Sequence, residues 1–136
     1  MTKPSRSDAP GRVYDRSFLL SSDKRNQLMA LWEVEKYGQD CFSDPNYVSI
    51  YGMPPPEWHA RGIRLLARTT LECVRDPLGD LIGREVKRVV QGAAPAYVAV
   101  IDPFAGSCNA LYWMLRHLEN ARGIAFEVER AIYDLI

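Results

Sequence analysis

Two short apolar runs, residues 96–101 (Ala-Tyr-Val-Ala-Val-Ile) and 124–128 (Ile-Ala-Phe-Glu-Val), stand on either side of a segment with helical spacing. No other feature restricts the fold as much. The first run is rich in valine and bounded by turn residues, which fits a strand buried on both faces, as in a parallel sheet. Residues 109–118 read as a helix with Leu111, Leu115 and Leu118 facing inward and Ser107 or Asn109 as its cap, and 120–123 read as a turn. Strand, helix and strand in about thirty residues make one βαβ crossover. Residues 129–136 begin a further helix.

In an open parallel sheet, ligands bind beyond the carboxyl ends of the strands. Asp102 and Glu127 fall at such ends. Gly106 lets backbone come close to a ligand, and the helix start after it offers unsatisfied N–H groups to a carboxylate or phosphate. Glu127, twenty-one residues after Gly106, stands where an acid accepts hydrogen bonds from both hydroxyls of a ribose. The combination asks for an adenosine-like ligand with an anionic end. A dinucleotide fingerprint wants glycine where this chain has Cys108 and Leu111, and no Gly-Lys-Ser/Thr triplet exists to form a P-loop.

Ahead of this unit the pattern is helical. Residues 1–21 carry Ser, Pro, Gly and scattered charge and read as a mobile arm with one apolar cluster, Phe18, Leu19 and Leu20. Ser22 or Asp23 is suited to cap a helix running to Tyr37, with Leu28, Leu31 and Trp32 near one face and Gly38 as its stop. Residues 39–56 read as an ordered loop, β-like over 47–51, with Pro56 starting the next helix or, in a functional reading, as a lid. A helix over 57–74 would gather Trp58, Gly62, Leu65, Leu66, Thr69 and Cys73 on one face and Arg61, Arg64, Arg68 and Arg75 on another, a stripe that reads as a solvated face or, in a functional reading, as a track for phosphates. Asp76-Pro77 starts another helix, whose buried face is Leu78, Leu81, Ile82, Val86 and Val89 and whose end is set by Gly92 and Pro95. The domain plan is thus an arm over 1–21, a helical region over 22–95 and a partial cofactor-binding unit over 96–136.

Seventeen basic and seventeen acidic residues cancel, so no global field draws in nucleic acid or an anionic membrane. No segment approaches the about 20 apolar residues of a membrane span. Three cysteines, odd in number and without a Cys-x-x-Cys pair, suit neither a disulfide framework nor a zinc site, and a cytoplasmic setting follows.

The octapeptide Asp102-Pro103-Phe104-Ala105-Gly106-Ser107-Cys108-Asn109 resembles the Asp-Pro-Phe-x-Gly-Ser-Gly-Thr cofactor motif of class I S-adenosylmethionine-dependent methyltransferases, in the form frequent among DNA and RNA methylases. Gly123-Ile124-Ala125-Phe126-Glu127 resembles the Gly-Ile-Gly-Phe-Glu second strand of that family. The resemblance covers residues 96–136. It implies an α/β fold with N-terminal helices followed by the first βαβ part of a Rossmann-like sheet, S-adenosylmethionine as cofactor, and methyl transfer by direct displacement. Carried over by position, Asp102 and Gly106 would contact the methionine part, Phe104 and Ala105 would line the site, and Glu127 would hold the ribose. Pro103, Ser107, Cys108 and Asn109 would complete the cofactor loop. Cys108 departs from the family's glycine, and a thiol at a helix N-terminus reads either as a packing residue or as an activated nucleophile.

The family's amino-methylating members carry Asp/Asn-Pro-Pro-Tyr/Phe after a later strand. The nearest match in this chain, Tyr51-Gly52-Met53-Pro54-Pro55-Pro56, has methionine where the acceptor group belongs. The resemblance therefore implies the N-terminal part of a longer enzyme whose methyl acceptor, nucleic acid by family association, is not specified. The alternative is a non-catalytic fragment or interaction module, with a second copy or a partner chain completing the sheet.

Overall fold

The computed structural model describes residues 21–93 and 95–135, so the expected arm lies, apart from Ser21, outside the described residues. The described chain mixes helices with one small parallel sheet: α1 (Leu31–Phe42), α2 (Pro55–Ala60), α3 (Ala67–Glu72), α4 (Asp76–Ala93), β1 (Val98–Asp102), α5 (Asn109–His117), β2 (Ala121–Ala125) and α6 (Arg130–Tyr133). No helix among the described residues is long and apolar enough to cross a membrane.

The best-buried core lies in the helical half, where Met29, Val34, Tyr37, Val48, Ile50, Trp58, Leu65 and Ala67 form one cluster. Trp58 is 1% exposed and satisfies its indole N–H on the Val48 carbonyl at 2.9 Å, so a large apolar surface is buried without stranding a polar group. The helix expected from residue 22 instead begins at Leu31. Residues 25–29 run beside 65–68, with Met29 N–H on the Leu65 carbonyl at 2.9 Å and Ala67 N–H on the Gln27 carbonyl at 3.0 Å. Those tertiary bonds take the backbone groups that a helix would need. The Glu33 carboxylate then caps the start of α1 by accepting the Ala30 N–H at 2.9 Å. Gly38 does not stop the helix. It lies inside α1, where a Cβ would come within 2.4 Å of the Asp44 carbonyl oxygen.

The single helix expected over 57–74 is two helices with a break. Gly62, at φ +88°, follows the α2 cap, and Gly62 and Ile63 donate their N–H groups back to His59 and Trp58 at 3.0 and 3.1 Å. This is the Schellman ending that glycine favours. Pro55, rather than Pro56, opens α2. With the helix broken, the four arginines no longer form a stripe. Arg61 pairs with Glu57 at 2.8 Å, Arg64 donates to the His59 and Ile63 carbonyls, Arg75 lies over the Tyr47 ring at 3.8 Å, and Arg68 turns inward.

α4 starts at Asp76 as its Asp-Pro signal predicts, but the face it buries differs from expectation. Leu78, Leu81 and Val89 are exposed, whereas Gly79 and Gly83 are buried against α5. A Cβ at Gly79 would fall 2.4 Å from Trp113 Cδ1, and one at Gly83 would fall 2.5 Å from the Trp113 carbonyl oxygen. The two helices approach where side chains are missing, and the leucine periodicity gave way to that close packing.

β1 and β2 pair in parallel, Val98 with Ala121 through Asp102 with Ala125. β2 therefore starts three residues before the expected Ile124. The chain turns over residues 118–120, with Asn120 at φ 49°, and Gly123 is a strand residue on which Leu111 and Leu115 of α5 press. The strands are not buried on both faces. α5 covers one side, and Ala99, Ile101, Ile124 and Phe126 stay exposed on the strands or just beyond. α6 occupies only Arg130–Tyr133 of the expected final helix.

Candidate cofactor site

Past the last paired residues the segments that follow the two strands stay joined. Phe126 donates its N–H to the Asp102 carbonyl at 2.8 Å, and Ala105 donates to the Phe126 carbonyl at 2.9 Å. This extension brings the β1–α5 loop alongside the segment after β2. Glu127 stands two residues beyond β2, and its carboxylate spans the gap, with Oε2 accepting the Gly106 N–H at 3.0 Å and Oε1 accepting the Glu129 N–H at 2.7 Å. Asp102 ends β1, and its Oδ1 accepts the Phe104 N–H at 3.1 Å. A cavity of about 220 Å³ opens at this end of the sheet.

Asp102, Phe104, Ala105, Gly106, Ser107 and Glu127 line that cavity, and Pro103, Cys108 and Asn109 do not. Gly106 has φ +51° and open space where a Cβ would stand, so the missing side chain keeps the loop backbone accessible. Phe104 points largely into solvent at 84% exposed.

Cys108 is the backbone N-cap of α5 with φ 58° and ψ 7°, and no side-chain cap is present there, neither Ser107 nor Asn109. Its thiol is not activated. Burial raises its pKa, and the neighbouring Asp102 and Glu127 carboxylates raise it further.

Asn109 is spent on structure. It is 1% exposed, its Oδ1 accepts the Tyr51 N–H at 2.7 Å, and its Nδ2 donates to the Val74 carbonyl at 2.8 Å and to Asp76 Oδ1 at 3.1 Å. Asp76 Oδ1 also accepts the Trp113 indole N–H at 2.7 Å. Tyr51, itself at φ 55°, donates its hydroxyl to the Ser107 carbonyl. Burial first, then the nearby Cys108 and Cys73, push the Tyr51 pKa up to about 12, so the phenol stays a donor at neutral pH. The segment expected as a loop or lid is thus tied through Tyr51 to the β1–α5 loop and the start of α5.

The wall opposite the loop comes from α3 and the turn after it: Arg68, Thr69, Glu72, Cys73 and Val74, with Ile132 of α6 closing one side. Sequence reasoning missed this wall, because Arg68 was read onto a solvated stripe and Thr69 and Cys73 onto an apolar face. The Gly62 break was the available signal that these residues belong to a separate, re-aimed helix. Burial pushes the Cys73 thiol up to about 11, which keeps it neutral. Glu72, Asp102 and Glu127 against Arg68 leave the cavity lining acidic on balance. Among the described residues no cluster of His, Cys, Asp and Glu is arranged to hold a metal ion.

No protein family, no curated protein and no solved structure matches the chain.

Proposed function

We propose that the chain carries the cofactor-binding unit of a Rossmann-like S-adenosylmethionine-dependent methyltransferase. The observation that carries this reading is the meeting of Asp102, Gly106 and Glu127 on one acidic cavity at the carboxyl ends of two parallel strands. An acidic lining suits a ligand bearing a sulfonium and an ammonium group. The residues also fit the cofactor in detail. Each Glu127 oxygen accepts one backbone N–H, and a carboxylate offers about four lone-pair sites, so both oxygens keep capacity for a ribose diol. Gly106 presents backbone without a side chain in the way.

When bound, the cofactor would supply an electrophilic methyl group for direct displacement. The chain's own work is positioning. Glu127 orients the nucleoside, Asp102 and the Phe104–Ser107 loop set the depth of the site, and the bonds of Tyr51 to Asn109 and to the Ser107 carbonyl hold that loop in place. Nucleic acid is the acceptor class suggested by the motif's resemblance, an inference by association.

Calorimetric titration tests the reading. Saturable binding of S-adenosylmethionine or S-adenosylhomocysteine, weakened by at least about tenfold on Glu127→Ala, is expected. Absence of heat at millimolar ligand refutes it.

A second reading, a protein-interaction module, draws on the uncovered sheet face of Ile101, Ile124 and Phe126 and on the two open strand edges. It expects concentration-dependent assembly in light scattering. A monomer that transfers methyl groups removes it.

A further inference from the structure

The ion pairs of the described surface arginines are short: Arg61 to Glu57 at 2.8 Å, Arg84 to Asp80 at 2.7 Å, Arg88 to Glu85 at 2.9 Å and Arg130 to Asp134 at 2.8 Å. Arg68 differs in burial and in fit. Its side chain is only 19% exposed, yet its carboxylate contacts are 3.5 Å to Glu72 and 3.4 Å to Glu129. Charge-assisted bonds settle at about 2.7–2.9 Å, so both contacts are slack. Its Nε is buried and has no hydrogen-bond partner among the described residues. A half-buried guanidinium with an unmet Nε donor and slack carboxylate contacts, set on a cavity wall, suits an anion of matching planar shape.

The next residue repeats the signature. Thr69 is 6% exposed, and its buried Oγ1 has no hydrogen-bond partner among the described residues. The residue borders both the large cavity and the small apolar one beside it. A helical threonine has two accessible χ1 wells, and exchanging them swaps its hydroxyl and methyl positions.

We infer that Arg68 and Thr69 of α3, outside the strand-helix-strand motif, bind the carboxylate of the amino-acid end of the ligand. This rests on the adenosylmethionine reading of the same cavity. The guanidinium fork exchanges its slack contacts with Glu72 and Glu129 for a bidentate carboxylate, while Asp102 and Glu127 remain for the cationic and hydroxyl groups. Without Arg68 the charged side chains of the lining, Glu72, Asp102 and Glu127, are all carboxylates, and they would repel that end of the ligand.

The test compares S-adenosylmethionine with its decarboxylated analogue, which keeps the adenosine, sulfonium and amine, by calorimetry on the whole chain. The unaltered protein is expected to prefer the carboxylated ligand by at least about tenfold. Arg68→Gln should abolish that preference while leaving affinity for the analogue unchanged or raised, and Thr69→Val should reduce the preference in part. If the unaltered protein binds both ligands equally, or favours the analogue, the inference falls and the cofactor reading stands. Binding of neither ligand overturns the cofactor reading and the inference with it. A preference that persists in folded Arg68→Gln refutes the role of Arg68. Should Arg68→Gln not fold, Arg68→Lys keeps the charge and loses the fork, and an unchanged preference in that variant is equally a refutation.

Discussion

Replacing Asn109 by alanine removes a side chain that ties three segments together. The Tyr51 N–H loses its acceptor, a buried donor left unpaired at a cost of about 1–3 kcal/mol. The Val74 carbonyl loses a donor worth about 1 kcal/mol, and Asp76 loses one of its two described donors, a bond to a charged group worth about 1.5 kcal/mol in this half-buried setting. Taken together, Asn109→Ala is expected to lower unfolding free energy by about 3.5–5.5 kcal/mol, a large share of the about 5–15 kcal/mol of an ordinary domain. Urea titration reads it as a shift in midpoint without a change in slope. Asn109→Asp separates the network from simple packing. It keeps an acceptor for Tyr51 but sets a carboxylate against Asp76. Like charge raises the folded-state pKa of the pair above the unfolded value of about 3.9, so the folded state binds protons more readily. Stability of this variant is therefore fullest below the unfolded pKa and is lost as pH rises through the raised folded pKa. The deficit relative to the unaltered protein should shrink as pH falls from neutrality. A loss under about 1 kcal/mol in Asn109→Ala, or a deficit in Asn109→Asp that ignores pH, refutes the assignment.

Gly83→Ala puts a methyl against the Trp113 carbonyl, which is backbone and cannot swing aside, so separating α4 from α5 should cost about 1–3 kcal/mol in chemical denaturation. Cys108→Gly replaces a residue at φ 58° by the one residue at ease there. Stability should be unchanged or rise by up to about 1 kcal/mol, whereas Cys108→Val should lower it, both read by thermal unfolding. The Asp80 carboxyl is held below its ordinary pKa chiefly by its 2.8 Å bond with His117 and then by Arg84. A depressed carboxylate stabilises the fold above its unfolded pKa and loses that contribution as pH falls through the folded value. Asp80→Asn should accordingly flatten part of the acid limb of a stability-against-pH profile, and an unchanged limb would contradict the pairing.

The parallel pairing and the placement of Asp102, Gly106 and Glu127 were legible in the sequence because they are local: an apolar run, a small-residue turn and an acid at fixed spacing. What escaped was decided by contacts between distant segments. Gly38 and Gly123 look like turn residues in a sequence, but each is a point of close approach, one to the Asp44 carbonyl and the other to Leu111 and Leu115. The leucines of α4 have the spacing of a buried face, and the packed face is the Gly79–Gly83 side, since two helices that meet through an indole ring come closest where no Cβ intervenes. Asn109 sits inside the recognisable motif, yet its three partners lie 33, 35 and 58 residues away, and no spacing rule points to them.

The same long-range bonds decide how the two halves depend on each other. The motif half covers one sheet face and leaves Ile101 60% exposed on the other, so its two strands bury too little to hold a loop still by themselves. The helical half has the dense core, and Tyr51 extends from that core to both Asn109 and the Ser107 carbonyl. Rigidity at Gly106 is therefore borrowed through Tyr51 from residues around Trp58. A ligand gripping α3 through Arg68 and the loop through Gly106 would join the halves a second time, and binding should then protect the backbone amides of β1 and β2 from hydrogen exchange as well as those of the loop. Protection confined to the loop would show that the ligand rests on the motif alone and that α3 is a bystander.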